Sequence, residues 1–201
     1  MNQLIIIGAS GHGKVIADIA LKNGYERIAF LDDDPNIKEC AGFPVIGKTE
    51  DAAHYPDCDF VVAIGNPTIR ERFHKTLSDC CIVTLIHHDA VISRRVTIGR
   101  GTVVMAGAVI NSDTVIGEGC IINTCASADH DNVIGDFVHV SVGAHLCGTV
   151  NIGDRTWIGA GAIASNNISI CNDALIGAGA VVVKDIQSQG TYVGVPAMKK
   201  R

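Results

Sequence analysis

Aromatic residues, leucine and basic charge are all scarce in this chain, and each shortage excludes something. Phe, Tyr and Trp number five, three and one in 201 residues, too few to fill the wide interior of a β-sandwich. Leucine occurs seven times against 26 isoleucines and 21 valines, the reverse of ordinary usage. Branching at Cβ restricts helical rotamers and suits a pleated surface, so a helical bundle is excluded and a narrow β structure filled with Val and Ile is expected. Lys and Arg total 16 against 21 Asp and Glu, a net charge of −5, and the basic cluster Lys199, Lys200, Arg201 leaves no electrostatic footprint for nucleic acid. No apolar run approaches the roughly 20 residues of a membrane span. The opening MNQLIIIGASG has no basic segment before its apolar run, so it reads as a first strand and not a secretory signal, and a cytoplasmic protein is expected. Eight cysteines, at 40, 58, 80, 81, 120, 125, 147 and 171, form no C-x-x-C pair and no metal spacing. They read as reduced thiols used as small apolar residues, with no metal expected.

What is present divides the chain in two. Residues 1–85 alternate short apolar runs (4–7, 28–31, 45–46, 60–64, 82–86) with amphipathic stretches at 13–23 and 68–78. This βαβ alternation predicts an α/β unit, a small parallel sheet with helices packed on it. Residues 86–201 follow another rule. Stepping by six from Ile86 to Val182 visits 17 positions, of which 15 are Ile, Val or Leu and two, 128 and 164, are Ala; overall composition would place about five there. The residue four further on is small at most steps, as at Ala90, Thr102, Ala108 and Cys120. One large and one small inward residue per six, with a corner between them, describes a three-sided parallel β-helix, a hexapeptide-repeat solenoid. Gly99, Gly117, Gly135 and Gly153 recur every 18 residues, so three hexapeptides make one coil, and five to six coils are expected. The flat, weakly charged faces of such a prism predict association about a threefold axis.

A break in a strong repeat is where chemistry is sought. Between Asn123 and Asn132, Ala128 replaces the large aliphatic residue and polar side chains crowd together. His130 followed by Asp131 is a candidate base with a carboxylate to orient it, although a solvated solenoid corner also suits Asp, His and Asn. His139 lies nine residues further, half a coil away. The two imidazoles therefore converge only across an interface between prisms, and an intersubunit active site follows. His145 reads as a residue partly buried at that contact.

At the other end GASGHG at 8–13 follows a strand and opens a helix, with Asp32, Asp33 and Asp34 after the second strand. Backbone N–H groups of such a loop bind phosphate, and an acidic residue after the next strand binds a ribose hydroxyl. Ser10 at the second glycine position departs from G-x-G-x-x-G, so the loop reads as a generic phosphate loop or a plain βα turn. Gly65 and Asn66 lie at the same carboxyl edge, where ligands bind in parallel sheets.

With GASGHG, Asp32-Asp33, AIGN at 63–66, INT at 122–124, DHD at 129–131, IGDFVHVSVGA at 134–144 and GVPA at 194–197, the chain resembles the bacterial sugar O-acyltransferase and sialic acid O-acetyltransferase family. Within it the likeness is strongest to the enzymes that N-acetylate nucleotide-linked 4-amino sugars, the UDP-bacillosamine and GDP-perosamine type. That resemblance spans nearly the whole chain and implies a Rossmann-like N-terminal domain, a left-handed β-helix, a homotrimer, and acetyl-CoA as co-substrate in surface-glycan or glycoprotein sugar biosynthesis. It implies His130 as general base and Asp131 as the residue raising its basicity, although several relatives carry Glu there. His139 and Gly148 would meet acetyl-CoA near the thioester, Gly148 through its backbone N–H, with Ala160 and Ala178 along the CoA arm. Asn123 would place substrate beside the base. Ser10, Gly11 and His12 would hold the phosphates, Asp32 and Asp33 the nucleoside, and Gly65 the sugar-nucleotide backbone.

The implied reaction is direct transfer in a ternary complex, without a covalent enzyme intermediate; neither Cys125 nor Cys147 shows the paired base that a thiol nucleophile needs. Within the family the alternative is O-acetylation of a sialic acid, which would leave Asp32 and Asp33 without that role. From other classes, a zinc enzyme resembling γ-class carbonic anhydrases would use His130, His139 and His145 in a spacing that does not match. A non-catalytic sugar-nucleotide sensor would have no need of His130 and Asp131.

Overall fold

A computed structural model describes residues 3–200. The chain divides into two compact units, residues 1–87 and 88–201.

In the first unit six strands form one sheet: β1 (Leu4–Ile7), β2 (Ile28–Leu31), β3 (Glu39–Cys40), β4 (Phe43–Gly47), β5 (Asp59–Val62) and β6 (Cys81–Ile82). Their spatial order is β3-β4-β2-β1-β5-β6. Helix α1 (Gly11–Lys22) follows β1 and α2 (Pro67–Thr76) follows β5. All residues of β1, β2 and β5 are buried, as continuous apolar runs covered on both faces require. Phe73 and Leu77 pack with Ile5, Phe60 and Val62 in one cluster. The sheet was expected to be parallel throughout; β3 adds an antiparallel edge to β4. The hairpin turns through Ala41 (φ 52°) and Gly42 (φ 79°). Two left-handed residues give the twist of a two-residue hairpin, and Ala-Gly carries little of the signal that Asn-Gly would. The strand order diverges on either side of β1, which puts the GASGHG loop at a topological switch point.

In the second unit the hexapeptides become three parallel sheets. The first face stacks Val91–Ile92, Val109–Ile110, Ser127–Ala128, His145–Leu146, Ile163–Ala164 and Val181–Val182. The second stacks Thr97–Ile98, Val115–Ile116, Val133–Ile134, Asn151–Ile152 and Ser169–Ile170. The third stacks Val103–Val104, Ile121–Ile122, His139–Val140, Trp157–Ile158, Ala174–Ile176 and Gly190–Val193. Every register step is 18 residues up to residue 182. Each corner is turned by a column of left-handed residues, for example Asp113, Asp131, Thr149 and Asn167 with φ between 59° and 62°.

The glycines spaced by 18 have a specific cause. Asp136, Asp154 and Asn172 each turn a side-chain oxygen onto the backbone N–H of the residue 18 earlier, accepting from Glu118 (2.9 Å), Asp136 (2.9 Å) and Asp154 (3.1 Å). The atoms of that ladder fill the space where a Cβ on Gly117, Gly135 or Gly153 would stand. At Gly99 the obstruction is backbone of the next coil, with Glu118 N at 2.5 Å from the added carbon. The two alanines in the large-residue series also have a packing cause. Ala128 and Ala164 lie directly below and above Leu146 in the inward column of the first face. Leu146 is the one leucine among the 17 positions, and small residues on both sides give its γ-branched side chain room.

Gly99→Ala is expected to destabilise the protein by about 1–3 kcal/mol, because backbone cannot move aside for a methyl group. Urea unfolding should show a lower midpoint with unchanged slope.

Candidate functional site

The crowded segment is a solenoid corner. After Ser127–Ala128 the chain turns through Asp129, His130 and Asp131 and enters Val133–Ile134. Buried Asn132 braces the corner from within: its amide nitrogen donates to the Asp129 carbonyl and its oxygen accepts from Val150 N at 3.0 Å. The Thr114 hydroxyl donates to the same carbonyl at 2.7 Å. Outside, the Asp129 carboxylate accepts from Asn111 Nδ2 (2.8 Å) and from the His130 N–H (2.9 Å). These bonds, the Asn111 one foremost, hold that carboxyl below the ordinary range.

On this platform the His130 imidazole is exposed and its Nδ1 lies 2.7 Å from Asp131 Oδ2. The hydrogen bond to Asp131 raises the His130 pKa, with Asp129 adding to it and desolvation opposing. With Nδ1 carrying the shared proton, Nε2 is the acceptor nitrogen. The ring lies over Gly148, one coil further on. A Cβ there would stand 2.6 Å from His130 Cε1 and 2.7 Å from Nε2, and Gly148 is buried beneath it. Glycine at 148 is therefore the condition for this imidazole position, a role that sequence reading missed. Its expected role as an N–H donor meets a competitor: the Gly148 N–H donates to Asn166 Oδ1 at 3.1 Å.

His139 stands on the third face, away from the corner that carries His130. It is buried, its ring is stacked on Trp157 at 4.9 Å between centroids, and its Nε2 lies 3.1 Å from Asn123 Nδ2. Trp157 is fixed in turn by a 2.7 Å bond from Nε1 to Ser141 Oγ. Asn123 thus joins His139 and not His130 within one chain. Ala160 and Ala178 occupy successive coils at the corner following the third face, both exposed, with Gly179 N donating to the Ala160 carbonyl at 2.9 Å. His145 hydrogen-bonds Ser127 Oγ through Nδ1 at 2.8 Å on the first face.

In the first unit the carboxyl edge of the sheet bounds a cleft of about 340 Å3, lined by Gly8, Ser10, Asp33, Thr49, Gly65 and Arg72 among others. Gly8 has φ +106°, and Gly13 lets α1 close on β1, since a Cβ there would meet the Gly8 carbonyl and Phe30. Ser10 precedes α1 without capping it through its side chain, so its hydroxyl makes no bond to the helix. His12 is half-buried with its Nε2 shielded and unpartnered. Burial, with the Arg70 charge adding to it, lowers its pKa to about 4, so it is neutral at pH 7. Arg70 itself is buried and donates to the Ile64 and Gly65 carbonyls at 2.8 and 2.9 Å, fixing the Gly65 loop. Both Asp32 oxygens serve the protein, accepting from Ala9 N (2.6 Å) and Asp34 N (2.9 Å). Asp32 braces the glycine loop, whereas Asp33 commits one oxygen, to Thr49 N (3.0 Å) and Oγ1 (2.8 Å).

Residues 3–77 match the family described as the PglD N-terminal domain. Among curated proteins, 113 residues are 38% identical to the UDP-N-acetylbacillosamine N-acetyltransferase of Bacillus subtilis strain 168, covering 53% of this chain and 52% of that protein. The chain thus spans about half the length of that curated relative. Among solved structures, the acetyltransferase domain of PglB from Neisseria gonorrhoeae FA1090 is 40% identical, covering 100% of both chains with a TM-score of 0.96. The same domain with acetyl coenzyme A matches at 41% identity and a TM-score of 0.95, over 99% of each chain. A mutant of perosamine N-acetyltransferase from Caulobacter crescentus, in complex with CoA and GDP-perosamine, is 34% identical over 100% of this chain and 98% of that one, with a TM-score of 0.96.

Asp131→Asn removes the negative partner that stabilises the imidazolium, so the His130 pKa should fall toward the ordinary imidazole value. NMR titration of the His130 ring checks this; an unmoved pKa would detach Asp131 from the base.

Proposed function

We propose, because this chain belongs to the family of hexapeptide-repeat acetyltransferases with a PglD-type N-terminal domain, that it transfers the acetyl group of acetyl-CoA to the C4 amine of a nucleotide-linked amino sugar, a UDP-4-amino sugar first. The carrying observation is the exposed His130 held by Asp131 over Gly148. Whole-chain likeness to structures holding acetyl-CoA, or CoA with GDP-perosamine, supports it.

In this reading His130 Nε2 takes a proton from the amine as its nitrogen attacks the thioester carbonyl carbon. The tetrahedral intermediate collapses with cleavage of the C–S bond, and the proton held by His130 passes to the departing CoA sulfur. The Gly148 N–H lies beside the base, where a thioester oxygen would displace the Asn166 carboxamide; one neutral hydrogen bond replaces another at a net cost of about 1 kcal/mol or less. His139, stacked on Trp157 and bonded to Asn123, forms the wall for the thioester end of acetyl-CoA, with Ala160 and Ala178 giving the CoA arm a flat path. Asn123 meets the amino sugar. In the cleft of the first unit Ser10, Gly11 and His12 hold the phosphates, Asp33 the ribose through its uncommitted oxygen, and Gly65 the sugar-nucleotide backbone.

His130 and His139 stand on opposite sides of one prism, so the reaction needs a second copy, and a homotrimer with sites between subunits supplies it. Val91, Val115 and Val133 expose 63%, 45% and 50% of their surface on the outer faces, apolar area that such packing covers. Among the described residues no helix is long and apolar enough to cross a membrane. Use of acetyl-CoA and eight free cysteines support the cytoplasm as its location.

Purified protein with acetyl-CoA should release free CoA thiol with one member of a panel of UDP- and GDP-linked 4-amino sugars. Release with sialic acid and none of the panel would select O-acetylation instead. His130→Ala should lower turnover at least ~100-fold, and unchanged turnover would remove His130 from the mechanism. The base works neutral and its pKa is raised, chiefly by the hydrogen bond to Asp131, so the rate should climb with pH through a value above that of an ordinary imidazole. In Asp131→Asn that rise should move to lower pH while the plateau falls.

A further inference from the structure

A nucleoside diphosphate carries negative charge into a cleft whose own titratable side chains are mostly acidic. Asp32 and Asp33 both line it. His12, the ring carried by the glycine loop, is neutral at pH 7 and brings no compensating charge. The N-terminus of α1 contributes backbone dipoles, with no acidic residue in its first turn, but a partial charge of about one half does not balance a diphosphate. Arg72, in the second turn of α2, is the cationic side chain among the residues lining this cleft, which it shares with Gly8, Ser10, Thr49 and Gly65.

Its surroundings leave that charge available. The Arg72 guanidinium carbon lies 5.3 Å from the centroid of the Phe73 ring, a stacking contact that restrains the group without occupying its N–H donors. No hydrogen bond or ion pair of the guanidinium is found among the described residues. The nearby cations are differently placed: Arg70 is buried and bonded to carbonyls, and Lys75 is paired with Glu71 at 2.6 Å. Asp33 is held below the ordinary carboxylate range chiefly by Thr49, with lesser help from Lys48 and Arg72, so the Arg72 charge is felt inside the cleft.

We propose that Arg72 is the clamp for the diphosphate of the nucleotide sugar, its planar fork pairing phosphate oxygens while the N–H groups at the start of α1 hold others. This rests on the nucleotide-sugar reading above and adds a residue that sequence reading did not single out. Arginine suits the task because its fork matches phosphate bidentately. The clamp explains how the enzyme would prefer a diphosphate-linked sugar to a free one: binding energy comes from the phosphates, remote from the reacting amine.

The test is calorimetric titration of the full chain with UDP, GDP, uridine and guanosine, for wild type, Arg72→Ala, Arg72→Lys and Lys75→Ala. The expected result is a ~10- to 100-fold weaker diphosphate affinity in Arg72→Ala, partial recovery in Arg72→Lys, and nucleoside binding and Lys75→Ala unchanged. KM for the nucleotide sugar should rise in parallel while kcat stays, as removal of uniform binding dictates. Arg72 projects from an exposed position, and circular dichroism confirms that the variants fold. Wild type binding UDP or GDP while Arg72→Ala binds it equally well overturns the clamp and leaves the nucleotide-sugar reading intact. Wild type binding neither diphosphate overturns both.

Discussion

The second unit depends on one constraint: the backbone N–H and C=O groups along its faces must meet partners on the neighbouring coils, in a register of 18 residues. Val109, Val115 and Val103 N–H groups all donate upward at 2.8–3.0 Å, and the pattern continues around all three faces. Once that register is set, every side chain has a fixed neighbour directly above and below. Inward columns must then share a narrow volume, which is why Leu146 is bracketed by Ala128 and Ala164. Corner columns must give up Cβ atoms wherever an Asp or Asn reaches down to cap the coil below. The same constraint builds the site. At the corner of His130 the position above is Gly148, and the absence of a side chain there admits an imidazole where the neighbouring corner carries an Asp ladder.

The first unit obeys a different constraint, the need of a doubly covered sheet to deliver loops at one edge. The carboxyl ends of β1, β2 and β5 each supply part of one cleft, through Gly8 and Ser10, Asp33, and Gly65. Polar side chains hold those loops in place: half-buried Asp32 accepts the Ala9 N–H, and buried Arg70 donates to the Ile64 and Gly65 carbonyls. A buried guanidinium is costly unless its donors are filled, and turning loop carbonyls inward fills them.

Much of this was legible in the residues because it is periodic. The six-residue step of Ile and Val, and the 18-residue step of glycine, are local statements that any coil repeats, so the solenoid could be read from residues 86 to 182. The expectation that chemistry sits near residue 128 rested on an alanine whose cause is packing against Leu146, so that signal has a structural origin unrelated to any base. The hairpin strand β3 escaped because its left-handed pair is Ala41-Gly42. Asn132, Asn166 and the Gly148 cradle escaped because each acts on a residue 18 positions away, a relation visible only once coils are stacked in register. Arg72 escaped because the cleft it lines is assembled from loops far apart in sequence.

The unit's surface separates two kinds of chemistry. The corner of His130 offers an acceptor nitrogen of raised basicity in open solvent, while the third face offers His139 buried against Trp157 and tied to Asn123. A base must be reached by both the incoming amine and the leaving sulfur, and in the proposed reading exposure serves that. A thioester needs orientation and exclusion of water, and an aromatic wall serves that. One narrow prism cannot bring a corner and the face behind it to a single point. In the proposed reading, juxtaposing two prisms solves this with a single copy of each element per chain.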